Sequence, residues 1–167
     1  ALRARAHRLR SETRAGLETG FPTTGEIRSV VILAAFSDVG FTVPDPQRAF
    51  ERMLNEEGYS DNGALGSARD YYLDNSGGRF RPTFDVVGPV TLDHPVAYYG
   101  ANTDYRDENA ERMIIEACHK AERAGVDFSQ YDFDNDGKID NVFVYYAGHN
   151  ESDSGGMNTV WPHRGEI

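Results

Sequence analysis

The chain contains one cysteine in 167 residues, so no disulfide can close within it. That residue, Cys118, falls on the apolar side of a predicted helix, and a buried, unreactive thiol is the expectation. Long apolar runs are also missing. None approaches the roughly 18 residues of a membrane-spanning helix, so no membrane span is expected. Ala1-Leu2-Arg3-Ala4-Arg5 lacks the apolar stretch of a signal peptide, as the N-terminus of a mature secreted protein also would. Basic residues are scarce: 17 against 27 acidic ones, a formal net charge of −10. Five arginines (Arg3, Arg5, Arg8, Arg10 and Arg14) sit in residues 1–16 beside one acid, Glu12, leaving the remainder at −14. A body this acidic repels nucleic acid and anionic membrane and attracts divalent cations. Residues 1–20 read as a basic arm or the stub of a leader, and residues 21–167 as one domain without internal repeats.

What is present reads as alternating elements. Ile27 to Phe36 is almost unbroken apolar sequence with β-branched residues at its start, the pattern of a strand covered on both faces. Asp45-Pro46 is a helix start, an N-cap acid followed by proline at the first helical position. Ala49, Phe50, Met53 and Leu54 share one face of that helix, and Gly58 closes it. Ser67 to Asp70 resembles a capping box, opening a short helix that ends near Ser76-Gly77-Gly78. Arg79 to Asp93 is extended, and Pro82, Gly88 and Pro89 demote it to an edge, bulged or broken strand. Ala110, Met113, Ile114, Ala117, Cys118 and Ala121 set the apolar stripe of the strongest helix, predicted from about Asp107 to Ala124. Asn141 to Ala147 predicts a further buried strand. The fold class expected is α/β (α+β): a layered mixed sheet with helices.

Between that helix and the last strand lies Asp132-Phe133-Asp134-Asn135-Asp136-Gly137-Lys138-Ile139-Asp140. Acids at loop positions 1, 3, 5 and 9, glycine at 6 and an aliphatic residue at 8 suit calcium. This hard cation takes six to eight oxygens at about 2.3–2.6 Å. The expected metal ligands are Asp132, Asp134, Asp136, the Lys138 carbonyl and Asp140, with Ile139 anchoring the loop to the core. Position 12 is Phe143 where an EF-hand has a bidentate glutamate, and a strand follows where an EF-hand has a helix. The site therefore reads as a structural brace and not as a calcium switch.

Several stretches together resemble the secreted bacterial metallopeptidases related to immune inhibitor A. They are Val30 to Leu33 followed by Phe36-Ser37-Asp38; Asp70 to Phe80; Asp85 to Val90; Tyr98-Tyr99-Gly100; Asp127 to Gly148, which includes the acidic loop; and Val160-Trp161-Pro162-His163. The resemblance implies a zincin-like catalytic domain that hydrolyses peptide bonds with zinc, acting on protein or peptide substrates outside the cell. In that family a His-Glu-x-x-His helix supplies two zinc ligands and a general base, because histidines four apart share a helix face. The present sequence has no such motif. The resemblance implies that the zinc helix lies beyond Ile167, so that residues 21–167 are the N-terminal part of the catalytic domain. The missing C-terminal half is then a partner, and the piece by itself is expected to be inactive. No catalytic residue is assigned.

The five histidines, His7, His94, His119, His149 and His163, lack ligand spacing. His119 reads as solvated or capping, His163 as structural or substrate-proximal, and His149 as a weak metal candidate beside Glu151 and Asp153. Ser154-Gly155-Gly156 and Ser76-Gly77-Gly78 read as turns, since neither has the frame of a hydrolase elbow. The tyrosine pairs 71–72, 98–99 and 145–146 read as packing residues. Two readings stand beside the peptidase: a calcium-stabilised extracellular binding or adhesion module, and a catalytically dead relative.

Overall fold

Strand β1 (Gly25–Ala35) runs through the middle of a three-stranded sheet. The computed structural model describes residues 22–103, 107–153 and 156–165. Val30 to Ala34 have no exposed surface, as an apolar run predicts for a strand covered on both faces. Burying each valine, leucine or isoleucine contributes about 1.5–3 kcal/mol. On one side β1 pairs in parallel with β2 (Phe80–Thr91). On the other it pairs in parallel with β3 (Val142–Tyr146).

Two crossovers make these pairings, and they travel in opposite directions along the sheet. Helices α1 (Pro46–Asn55) and α2 (Ala68–Ser76) join β1 to β2. The short α3 (Val96–Tyr99) and the long α4 (Ala110–Arg123) join β2 to β3. Right-handed crossovers of opposite direction place their helices on opposite faces, and the core divides accordingly. Val31 and Leu33 pack with Leu54, Phe84 and Val86 on the α1 face. Val30, Ile32 and Ala34 pack with Met113, Ala117 and Ala121 on the α4 face. The result is three layers, helix–sheet–helix.

Local signals explain where the helices begin and end. Asp45 caps α1 by accepting a hydrogen bond from the Arg48 N–H at 3.1 Å, with Pro46 in the first turn. Ser67 and Asp70 form the reciprocal capping box of α2, and Gly77 ends it in the left-handed conformation. Helix α4 starts at Ala110, a few residues after the expected Asp107, because Asp107 is held in a bridge to Asn102. Cys118 is half-buried against the core, and burial pushes its thiol pKa up.

Among the described strands β2 is an edge, with a register shift against Ile32–Ala34, next to the cis Gly88-Pro89 bond. Both features follow the proline and glycine placement. Two expectations are refined. The described strands are all parallel, so no antiparallel strand makes the sheet mixed. Strand β3 is half-buried and not buried, since β1 is its one paired neighbour among the described strands and Tyr145 faces solvent. The basic arm, residues 1–20, lies outside the described residues.

Candidate metal centre

The acidic loop leaves a 3-10 turn (Phe128–Tyr131) and enters β3, at the N-terminal end of the sheet. Its base is fixed on both sides. The Asp140 N–H donates to the Tyr131 carbonyl at 3.1 Å, and the Phe133 N–H donates to Asp140 Oδ2 at 2.5 Å. Ile139 packs on the α4-side core, as expected of an anchor. Tyr131 is buried and donates its hydroxyl to Asp85 Oδ2 at 3.1 Å. Asp85 also pairs with Arg28 Nε at 2.9 Å, tying the turn to β1 and β2. Burial, then the Asp85 charge and hydrogen bond, push the Tyr131 phenol up to about 12.

Inside the loop, backbone N–H groups curl the chain around its acids. The Asp136 N–H donates to Asp132 Oδ1 and Asp134 Oδ1, both at 3.1 Å. The Gly137 N–H donates to Asp132 Oδ2 at 2.9 Å, and the Lys138 N–H to Asp136 Oδ1 at 2.8 Å. Asn135 and Gly137 both have positive φ (58° and 85°), and the turn depends on them. Carboxylate oxygens of Asp132, Asp134 and Asp136 thereby lie within 4.8 Å of one another. Each like-charge pair at that separation costs about 1 kcal/mol even in water. A divalent cation reverses that sign.

Of the five expected ligands, the structure brings three together. The Asp140 carboxylate is engaged at the loop base, not in the cluster. Lys138 holds its side chain outward, with Nζ 3.7 Å from Asp136 Oδ2. Phe143, at the twelfth position, packs its ring 6.1 Å from that of Phe84 on the α1 face and is no ligand. The donor set is all oxygen, which suits a hard cation better than zinc, whose sites are built mainly on histidine and cysteine.

Zinc ligation finds no support among the described residues, where the acidic loop is the one group of three or more acids, histidines or cysteines able to share an ion. His94 stacks on Tyr98 with ring centres 4.1 Å apart. His119 is exposed, 3.8 Å from Glu122. His149 lies 3.8 Å from Asp153, and the His163 Nδ1 is 2.8 Å from the Trp161 carbonyl. His7 and the Ser154-Gly155 turn fall outside the described residues, while Gly156 lies within them.

At the opposite end of the sheet the structure assembles a set of polar residues that sequence spacing does not signal. Asp107 Oδ2 accepts from the Trp161 N–H at 2.8 Å. Tyr146 donates its hydroxyl to the Val160 carbonyl at 2.8 Å. Burial, and then the Asp107 charge, push the Tyr146 phenol up to about 12. Tyr99, fully buried, donates to Glu116 Oε2 at 2.6 Å, and burial with that bond raises its pKa. Its neighbour Tyr98 is half-buried, whereas Tyr71 and Tyr72 are exposed.

Residues 45–167 match the family described as "Immune inhibitor A peptidase M6, catalytic domain". The pre-pro-metalloprotease PrtV of Vibrio cholerae is 26% identical over 141 residues, covering 72% of this chain and 15% of PrtV. Immune inhibitor A of Bacillus thuringiensis is 27% identical over 139 residues, covering 69% of this chain and 20% of that protein. The chain thus spans about a fifth or less of the length of these relatives. The acidic loop, the sheet that holds it and the residues around Trp161 all lie in or beside the matched region, and the chain belongs to the immune inhibitor A peptidase M6 family.

Proposed function

We propose that this chain forms the N-terminal part of the catalytic domain of a secreted, zinc-dependent endopeptidase, braced by a calcium ion in the Asp132–Asp140 loop. The observation that carries the peptidase reading is the match of residues 45–167 to a peptidase catalytic domain. The family implies a metal cofactor. The chain has no His-Glu-x-x-His, so zinc and the general base are assigned to sequence following residue 167. Residues 21–167 then supply the scaffold and part of the cleft wall, and protein or peptide chains are the substrates.

The convergence of Asp132, Asp134 and Asp136 supports the calcium reading. The Lys138 carbonyl completes the set, and Asp140 acts from the loop base. An exposed three-carboxylate site on a curled loop suits the millimolar calcium outside cells. There the ion holds the path from α4 into β3, and no reaction step runs through it.

Two measurements test the proposal. Casein hydrolysis by the full-length protein is expected to stop on zinc chelation and to return with zinc. An unrelated sequence in place of His-Glu-x-x-His downstream, or zinc-loaded full-length protein without hydrolysis, overturns the peptidase reading. A calorimetric titration of D134N/D136N is expected to show one calcium fewer than the wild type, and equal stoichiometry overturns the calcium reading.

A further inference from the structure

Asn102 and Asp107 face one another as an isolated antiparallel pair in the connection between α3 and α4. The Glu108 N–H donates to the Ala101 carbonyl at 2.7 Å. That bond flanks the pair and marks it as the non-hydrogen-bonded kind, whose side chains stand closest on one face. Asp107 is only 9% exposed. Its Oδ2 is satisfied by the Trp161 N–H, but among the described residues its Oδ1 is buried with no hydrogen-bond partner. A buried carboxylate oxygen is rarely left so, and an ion is one of the few things that answers it.

On the same face, the Asn102 amide meets two more oxygens. Its Nδ2 lies 3.3 Å from Glu151 Oε1. It also donates to the Met157 carbonyl. An asparagine amide turns either its oxygen or its nitrogen to a given place. With Oδ1 turned inward, the set becomes two carboxylates, an amide oxygen and a backbone carbonyl, the mixture calcium takes. The two chain segments are tightly apposed: a Cβ on Gly100 would lie 2.4 Å from the backbone of Thr159.

We propose that Asp107, Asn102, Glu151 and the Met157 carbonyl form a second calcium site, which clasps the α3–α4 connection to the segment following β3. It lies beyond the C-terminal end of β3, whereas the acidic loop precedes the strand's N-terminal end. The two sites share no residue and are independently testable.

Calorimetric calcium titration of the full chain, with D134N/D136N as background, is the experiment. The background variant is expected to retain calcium binding, and adding E151Q is expected to lower the stoichiometry by one. Asn102→Asp exchanges a neutral ligand for a carboxylate and is expected to tighten calcium binding about tenfold at the retained site. It should raise the melting temperature in calcium and lower it in chelator. Trp161 is the only tryptophan, so terbium bound here should emit under tryptophan-selective excitation, and E151Q should remove that emission. A background variant that binds no calcium, or Asn102→Asp lowering the melting temperature equally with calcium and with chelator, overturns the proposal. If D134N/D136N binds as many ions as the wild type, the loop reading fails and this one stands.

Discussion

Asn55 on α1 satisfies both backbone polar groups of Phe84 on β2, donating from Nδ2 to the carbonyl at 2.9 Å and accepting at Oδ1 from the N–H at 2.8 Å. One side-chain amide thus does for this edge what a further strand would do. Gln47 Nε2 continues the pattern two residues on, donating to the Val86 carbonyl at 3.0 Å. An edge strand otherwise presents these groups as a template for pairing with another chain.

Asn55→Ala removes both partners of Phe84 at a part-buried position and is expected to cost about 1–3 kcal/mol. Asn55→Asp keeps an acceptor for the N–H but sets a carboxylate oxygen against the Phe84 carbonyl, so it should destabilise as well. Gln47→Ala loses one bond and should cost less. Urea unfolding checks this: the midpoint moves while the slope stays constant.

Calcium removal offers a second prediction. A ligand that binds only the folded state at a hundred times its dissociation constant stabilises by about 2.7 kcal/mol. Chelation is therefore expected to lower the melting temperature of the wild type, and D134N/D136N should lose the share held by the loop. Lys138→Ala should retain the ion, because only the backbone carbonyl is assigned to it, and should tighten binding slightly by removing an ammonium 3.7 Å from Asp136 Oδ2. A melting-temperature series against free calcium gives the answer.

The elements legible in the sequence are those fixed by neighbours along the chain. Asp45-Pro46 and the Ser67–Asp70 box are local hydrogen-bond devices, and both appear where spacing puts them. The apolar run of β1 announces a strand covered on both faces because no alternating pattern could be buried twice. The acidic loop is similarly local, its acids two residues apart. What could not be read depends on chain distance. Asn102 meets Glu151 and Met157 across 49 and 55 residues, and Asp107 meets Trp161 across 54. No periodicity encodes such meetings. The edge role of Asn55 was hidden for the same reason, since it depends on where β2 lies. Asp140 illustrates a finer limit. Loop spacing counts it with the ligands, while in the folded loop its Oδ2 accepts from the Phe133 N–H at the loop base.

Gly100 gives a third prediction. A Cβ there would lie 2.4 Å from the Thr159 carbonyl carbon and 2.7 Å from its Cα, both backbone atoms that cannot rotate away. Gly100→Ala is expected to displace the segment around Thr159 and to cost about 1–3 kcal/mol as overpacking. Faster proteolysis between His149 and His163, with the acidic loop's calcium affinity unchanged, would locate the effect at this end of the sheet.

The buried phenols set the alkaline limit of the fold. Tyr131 and Tyr146 are pushed up to about 12, mainly by burial, and burial with the Glu116 hydrogen bond raises Tyr99. An unfolded tyrosine titrates near about 10. Above that pH the unfolded chain gives up phenolic protons that the folded chain keeps, so stability falls as pH rises. The contribution is fully present below about 10 and is lost through about 12. Unfolding midpoints measured across this range should decline steadily. Tyr131→Phe removes one of the titrating groups, so its decline should be shallower. At neutral pH it should be somewhat less stable, for want of the bond to Asp85. Equal alkaline slopes for the two proteins would show that Tyr131 is not among the groups that set this limit.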